Sequence, residues 1–286
     1  MSVMTETSLP TVGEALSTAV RRLAAAGVPN AAGEAKELVA RACGENRRVL
    51  DLRRDERWLP SSESFLNLLL LQRLDHVPLA YLLGEWDFLD MTLTVTPDVL
   101  IPRPETEELF QWVAQEKGFN GNLVDVGTGA GGLALAAARQ WSAARVTAID
   151  LSTGALAVAR WNARRHGVED RIDFRRADLL EGTKDSSLDV IVSNLPYVAS
   201  GDLAGLSPDV LKEPRRALDG GPDALSVIRR LIPQAFGALR PGGRLFLEVG
   251  QGQSSVVGRT ITQAGFSDVS IARDFAGIER FIRGTR

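Results

Sequence analysis

The chain is short of the residues that build covalent and metal frameworks: among its 286 residues are one cysteine, Cys43, and two histidines, His76 and His166. A single thiol excludes an internal disulfide, and so few cysteine and histidine side chains leave no ligand set for a structural or catalytic zinc. No metal is expected, and a reducing, cytoplasmic setting fits. Long apolar runs are missing too. The most apolar stretch, Phe65 to Leu71, is too short to cross a bilayer, and the first residues lack a basic segment followed by a continuous apolar core. A soluble protein without membrane attachment is expected. Neither sign of charge prevails: the formal net charge is −3. That weak acidity argues against broad capture of a nucleic-acid backbone, so no direct nucleic-acid binding is expected. The positive charge is nearly all arginine, and pairs such as Arg21-Arg22, Arg53-Arg54 and Arg175-Arg176 read as solvated faces.

What is present divides into two parts. Val12, Leu16, Val20 and Leu23 fall at helical spacing until Gly27 and Pro29 intervene; a second helix begins over Glu34 to Ala42 and a third lies around Phe65 to Leu74. Amphipathic helices joined by short turns bury a common core, so a small helical domain is expected, with nothing in it that looks catalytic. From Trp86 the pattern turns β-like through Phe88, Met91, Leu93 and Val95. Ile101-Pro102-Arg103-Pro104-Glu105 then forms a proline-stiffened connector before a helix expected to begin near Glu107. That connector reads as an interdomain hinge, or as a rigid turn presenting Arg103 and Glu105 to a site.

Beyond it strands and helices alternate, the pattern of an α/β fold. Asn122 to Val126 is a strand, Gly127-Thr128-Gly129-Ala130-Gly131-Gly132 a glycine turn, and Leu133 to Trp141 a helix. This order makes a nucleotide-binding βα unit, because missing Cβ atoms let backbone approach a ligand at the helix N-terminus. A second strand, Arg145 to Ile149, ends in Asp150, where a carboxylate can accept ribose hydroxyls. The glycines also satisfy the dinucleotide pattern. Asp125 separates the two ligands: a carboxylate just before the turn would repel a pyrophosphate but suits S-adenosylmethionine, whose amino acid and sulfonium ends are positive. A third strand, Ile172 to Arg175, leads to Asp178 and Leu179 at the same sheet edge. There Asp178 would bond an adenine amine and Leu179 would pack on its face; Asp178 reads equally as a turn or helix cap.

Val190 to Ser193 is a buried strand that stops at Asn194-Leu195-Pro196-Tyr197, at the carboxyl edge where open α/β sheets bind ligands. A residue before proline is held extended, so the Leu195 carbonyl stands in a fixed direction beside the Asn194 side chain. Two acceptors then face one point, which suits an NH2 carrying two donors, with Tyr197 laid against its plane. A strand followed by an ordinary turn is the other reading. A long polar loop, residues 199–222, and further helices and strands complete the chain.

Several motifs together resemble the peptide-chain release factor N5-glutamine methyltransferases, the HemK/PrmC family. They are Pro78-Leu79-Ala80-Tyr81-Leu82-Leu83-Gly84, Leu100-Ile101-Pro102-Arg103-Pro104-Glu105-Thr106-Glu107, Asn194-Leu195-Pro196-Tyr197, Glu213-Pro214-Arg215-Arg216-Ala217-Leu218, Glu248-Val249-Gly250-Gln251-Gly252-Gln253 and Arg273-Asp274-Phe275-Ala276-Gly277. The resemblance implies a helical substrate-recognition domain over 1–84, a β-hairpin connector over 85–106, and a Rossmann-like, class I S-adenosyl-L-methionine-dependent methyltransferase domain over 107–286. That domain would hold a seven-stranded sheet ending in an antiparallel hairpin. The substrate implied is the glutamine in the Gly-Gly-Gln loop of class I release factors, met by a monomer. Cofactor contacts carry over to Gly127, Thr128, Gly129, Ala130, Gly131, Asp150, Leu179 and Asn194, and substrate contacts to Asn194, Leu195, Pro196 and Tyr197. Arg103 and Glu105 would close over the donor or the incoming loop. Many members have proline where this chain has Leu195, so Asn194 lacks one restraint. The rival readings are an adenine-N6 methyltransferase acting on DNA or RNA, and a donor-binding adaptor without catalysis.

Overall fold

The computed structural model describes residues 10–116 and 119–286, in two compact units divided between Gly84 and Glu85. In the first unit, α1 (Val12–Ala25) starts at Thr11, whose hydroxyl accepts from the Glu14 amide while the Glu14 carboxylate accepts from the Thr11 amide, a reciprocal cap. Asn30 caps α2 (Ala31–Cys43), and Gly44 ends it in the left-handed region. Pro60 opens α3 (Pro60–Leu74), and a short α4 (Leu79–Leu83), unforeseen because five residues show no period, follows Pro78. Leu16, Leu23, Leu38, Trp58 and Leu70 fill their common core. Arg73, buried on α3, pairs with Glu34 at 2.5 Å.

The second unit opens with an antiparallel hairpin, β1 (Glu85–Phe88) and β2 (Met91–Thr94). The next helix, α5 (Pro104–Val113), begins three residues before the expected Glu107. Pro104 takes the first helical position, where its missing N–H has no partner to lose and its ring pre-sets φ. The earlier start places Glu105 and Thr106 in the first turn. Alternation then follows: β3 (Asn122–Val126), α6 (Gly132–Gln140), β4 (Arg145–Asp150), α7 (Thr153–Arg165), β5 (Ile172–Arg176), β6 (Leu188–Asn194), α8 (Ser226–Ala238), β7 (Leu239–Glu248), α9 (Ser254–Gln263), β8 (Ser267–Arg273) and β9 (Glu279–Thr285).

The sheet runs β5-β4-β3-β6-β7-β9-β8, and only the pairings made by β9 are antiparallel. Strand order reverses at the central pair: β3 leads outward to β4, whereas β6 leads the other way to β7. Helices on opposite faces part there, leaving a crevice beyond the carboxyl ends of β3 and β6. Ile191, Leu245 and Leu247 on the strands and Ile228, Leu231 and Ile232 on α8 are buried against one another, holding this rim rigid.

Candidate active site

The crevice is a cavity of about 750 Å3 at the carboxyl ends of β3, β4 and β6, of the size that takes a small-molecule ligand. Its first wall is the glycine turn. The Gly127 and Thr128 amides both donate to the Ile149 carbonyl, at 2.8 and 3.0 Å, pulling the turn over the end of β4. Gly127 sits at φ +76°, a backbone that L side chains rarely adopt, and a Cβ there would stand 3.1 Å from Leu195 Cδ2, so the close approach of the turns after β3 and β6 favours glycine.

Asp125 is buried at the next-to-last residue of β3. Its Oδ2 accepts from Thr128 Oγ1 at 2.6 Å and from the Ala134 amide at 3.2 Å; its Oδ1, also buried, has no partner among the described residues. Burial raises this carboxyl from 3.8 to about 7, with the neighbouring Asp150 adding to the rise and its two hydrogen bonds opposing it. Asp125 contributes to the cavity lining, while its unmet Oδ1 is closed off from solvent. Asp150, at the end of β4, accepts from the Ser152 amide at 2.8 Å and the Gly129 amide at 3.0 Å. Burial raises it too, against those bonds and Arg216.

The opposite wall is the turn after β6. Asn194 Nδ2 donates to Thr106 Oγ1 at 2.8 Å, and Thr106 Oγ1 donates to Glu248 Oε2 at 2.7 Å. No donor among the described residues meets Asn194 Oδ1 or the Leu195 carbonyl. The Leu195 side chain is buried in the sheet core, so its side-chain contacts and the Thr106 bond supply the restraint that a proline would otherwise give. Glu248 is 1% exposed. Burial raises it from 4.5 to about 7, Glu105 adds to the rise, and the Thr106 and Tyr197 hydroxyls and Arg280 oppose it.

Arg103, Gly127, Thr128, Gly129, Ala130, Asp150, Asp178, Leu179, Asn194, Leu195 and Pro196 all line the cavity. Three expected residues stand off its wall. Gly131 is the N-cap of α6, and its α-carbon is pressed against the neighbouring helix: at φ +92° an added Cβ would lie 3.1 Å from Ala159 Cβ and 2.8 Å from Leu135 Cδ1. Gly131→Ala is therefore expected to destabilise the fold by roughly 1–3 kcal/mol, read as a lower denaturant midpoint at unchanged slope. Tyr197 turns its hydroxyl to Glu248 Oε1 at 3.3 Å instead of facing the cavity; burial beside that carboxylate raises the phenol. Glu105 points to Arg280, 4.0 Å away. Arg103, on the wall, is held by Glu213, which accepts from Arg103 Nη2 at 2.6 Å and from the Ile101 amide at 3.0 Å. Asp178 pairs with Arg230 at 2.6 Å, and Leu179 adopts φ +54°, an uncommon backbone for leucine.

Sequence reasoning missed Thr106 and Asn162. Asn162 is fully buried on α7, accepts from the Thr94 amide and donates to the carbonyls of Thr94 and Ala130, tying the hairpin to the glycine turn. An asparagine on an alanine-rich helix face was the available signal. Among the described residues no cluster of His, Cys, Asp and Glu could hold a metal, and no helix is long and apolar enough to cross a membrane.

A family model described as the PrmC N-terminal domain matches residues 14–84, and one described as a methyltransferase small domain matches residues 105–222. A release factor glutamine methyltransferase of Moorella thermoacetica is 40% identical over 273 residues, covering 94% of this chain and 96% of its own. One from Geobacter sulfurreducens is 38% identical and covers 92% of each. Among solved structures, the ribosomal protein L11 methylase of Lactobacillus delbrueckii subsp. bulgaricus aligns with a TM-score of 0.50 at 21% identity, over 67% of this chain and 83% of that one. A methyltransferase from Pyrococcus furiosus gives 0.50 at 19% identity, over 68% and 87%. At those identities the structures speak for the fold alone, which is the class I S-adenosylmethionine-dependent methyltransferase fold.

Proposed function

The chain belongs to the release factor glutamine methyltransferases, and from that membership we infer that it transfers a methyl group from S-adenosyl-L-methionine to the side-chain amide nitrogen of a release-factor glutamine. We take the glutamine to be that of the Gly-Gly-Gln loop of class I factors. Such a substrate implies a cytoplasmic protein, and the same reading takes it as a monomer that binds no nucleic acid directly. The helical unit ending at Gly84 is assigned to recognition of the factor beyond its reacting loop.

The single observation that carries the chemistry is the pair of unmet acceptors, Asn194 Oδ1 and the Leu195 carbonyl, at the edge of a cavity that Asp125 and Asp150 also line. Bound there, S-adenosylmethionine supplies an electrophilic methyl on its sulfonium. The residues present fit it: the Asp125 carboxylate suits the cationic amino acid end, Asp150 the ribose hydroxyls, and Leu179 and Asp178 the adenine. An amide nitrogen is a poor nucleophile, because its lone pair is delocalised into the carbonyl. Two acceptors that take both N–H bonds favour pyramidal nitrogen and fix the direction of its lone pair. Neither oxygen is basic enough to deprotonate a neutral amide, so orientation is what the chain supplies; the nitrogen would take the methyl as the sulfur leaves as a neutral thioether, and would lose one proton to water afterwards. Pro196, on the wall, closes one side of the amide plane; Tyr197 acts from behind, through Glu248.

Asp150→Ala is expected to weaken S-adenosylhomocysteine binding about tenfold or more, since it removes charged hydrogen bonds; calorimetry reads this directly, and unchanged affinity would place the ribose elsewhere. The function itself is tested with methyl-labelled donor and, separately, a release factor, its loop Gln→Ala variant and duplex DNA. Label entering the intact factor alone supports the reading, and label entering DNA replaces it with the adenine one.

A further inference from the structure

We propose that Thr106 and Glu248 decide which way round the Asn194 side-chain amide stands, so that its oxygen and not its nitrogen meets the substrate; this rests on the glutamine-methylation reading above. The two ends of an asparagine amide are alike in size, and half a turn exchanges donor for acceptor. A flipped Asn194 would set NH2 against the substrate's NH2. What prevents this lies behind the residue, where the first turn of α5 and the last residues of β6 and β7 converge, Asn194 standing in register with Glu248.

The chain of hydrogen bonds has one direction. Thr106 owns one hydroxyl proton, and the ionised Glu248 carboxylate can only accept it. The remaining Thr106 lone pairs can then take only a donor, which is Asn194 Nδ2. Tyr197 donates to the second Glu248 oxygen, so that end offers no proton either. Glu248 is 1% exposed and closed off from bulk water, while Thr106, 8% exposed, reaches the cavity lining beside Asn194. Thr106 and Glu248 are thus positioning residues. Thr106 reaches the cavity lining and Glu248 stands behind it; both act on the reaction through Asn194.

Protonation of Glu248 would undo the arrangement, because a carboxylic acid can donate to Thr106 and turn its proton towards Asn194. The groups facing Glu248 are Glu105 and Thr106 from α5, Tyr197 from the turn after β6 and Arg280 from β9. With this carboxyl raised to about 7, kcat at saturating substrates falls as pH drops through that value.

The test uses the full chain with labelled donor and a release factor. Thr106→Val is expected to lower kcat about tenfold, the bias one such bond supplies, with S-adenosylhomocysteine affinity by calorimetry within about threefold of wild type. Thr106→Ser restores the hydroxyl and most of the rate. Thr106→Val adds nothing to Asn194→Ala, because the loss runs through the residue already removed. Should Thr106→Val prove unstable, Glu248→Gln serves: its kcat loses the fall near pH 7. The proposal is overturned if Thr106→Val keeps the wild-type kcat, if its loss persists undiminished on Asn194→Ala, or if Glu248→Gln keeps the acid fall. A wild-type protein that leaves the release factor unlabelled would instead overturn the functional reading beneath it.

Discussion

Asn194→Ala is expected to lower turnover about a hundredfold or more, the usual consequence of deleting one preorganised polar group at a reacting centre. The substitution leaves the Leu195 carbonyl as sole acceptor, so the substrate amide can turn about its remaining hydrogen bond and its lone pair loses a fixed heading. Donor binding should be less affected, since the substitution leaves Asp125, Asp150 and the glycine turn, which also line the cavity, in place. Single-turnover rates with labelled donor separate the two effects. A variant that methylated at the wild-type rate would remove Asn194 from the chemistry.

Asp125→Asn carries the second large effect. In the reading proposed above its carboxylate is the cationic end's counterpart, and losing that charge is expected to weaken S-adenosylhomocysteine binding about tenfold or more at pH 8. The pH dependence gives a sharper signature. In the ligand-free protein burial holds Asp125 at about 7, well above its ordinary 3.8. Binding of an ammonium selects the ionised form, so wild-type affinity rises between pH 6 and 8, and in Asp125→Asn that rise is missing. Stability moves the opposite way. A carboxyl raised in the folded state stabilises fully below its unfolded value and loses that contribution as pH rises through the folded one. The ligand-free wild type should therefore lose Tm between pH 6 and 8, and Asp125→Asn should lose less. Equal slopes in the two proteins, for affinity and for Tm, would show that Asp125 stays ionised and meets no cation.

Local pattern made much of this legible beforehand. The strands ending at Val126, Asp150 and Asn194 announce themselves by apolar runs that stop at a glycine, a carboxylate or a carboxamide, and each does end at the cavity. What stayed hidden depends on contacts between distant segments. Thr106 meets Glu248 across 142 residues, and no spacing rule links a helix N-terminus to the end of a strand so far along the chain. Tyr197 was read as a stacking ring because an aromatic beside a candidate amide site invites it; a buried carboxylate two strands' width from β3 claims its hydroxyl instead. Arg103 looked free to close over a ligand, yet Glu213, from the polar loop, already holds it. The helix start at Pro104 was recoverable, since proline favours the first helical position.

The most direct test is a structure of the protein with S-adenosylhomocysteine and a glutamine-containing loop peptide. The account predicts the peptide's amide nitrogen about 3 Å from both Asn194 Oδ1 and the Leu195 carbonyl, with Asn194 Nδ2 still on Thr106. An amide nitrogen bound elsewhere, or an Asn194 whose NH2 faces the peptide, would contradict it.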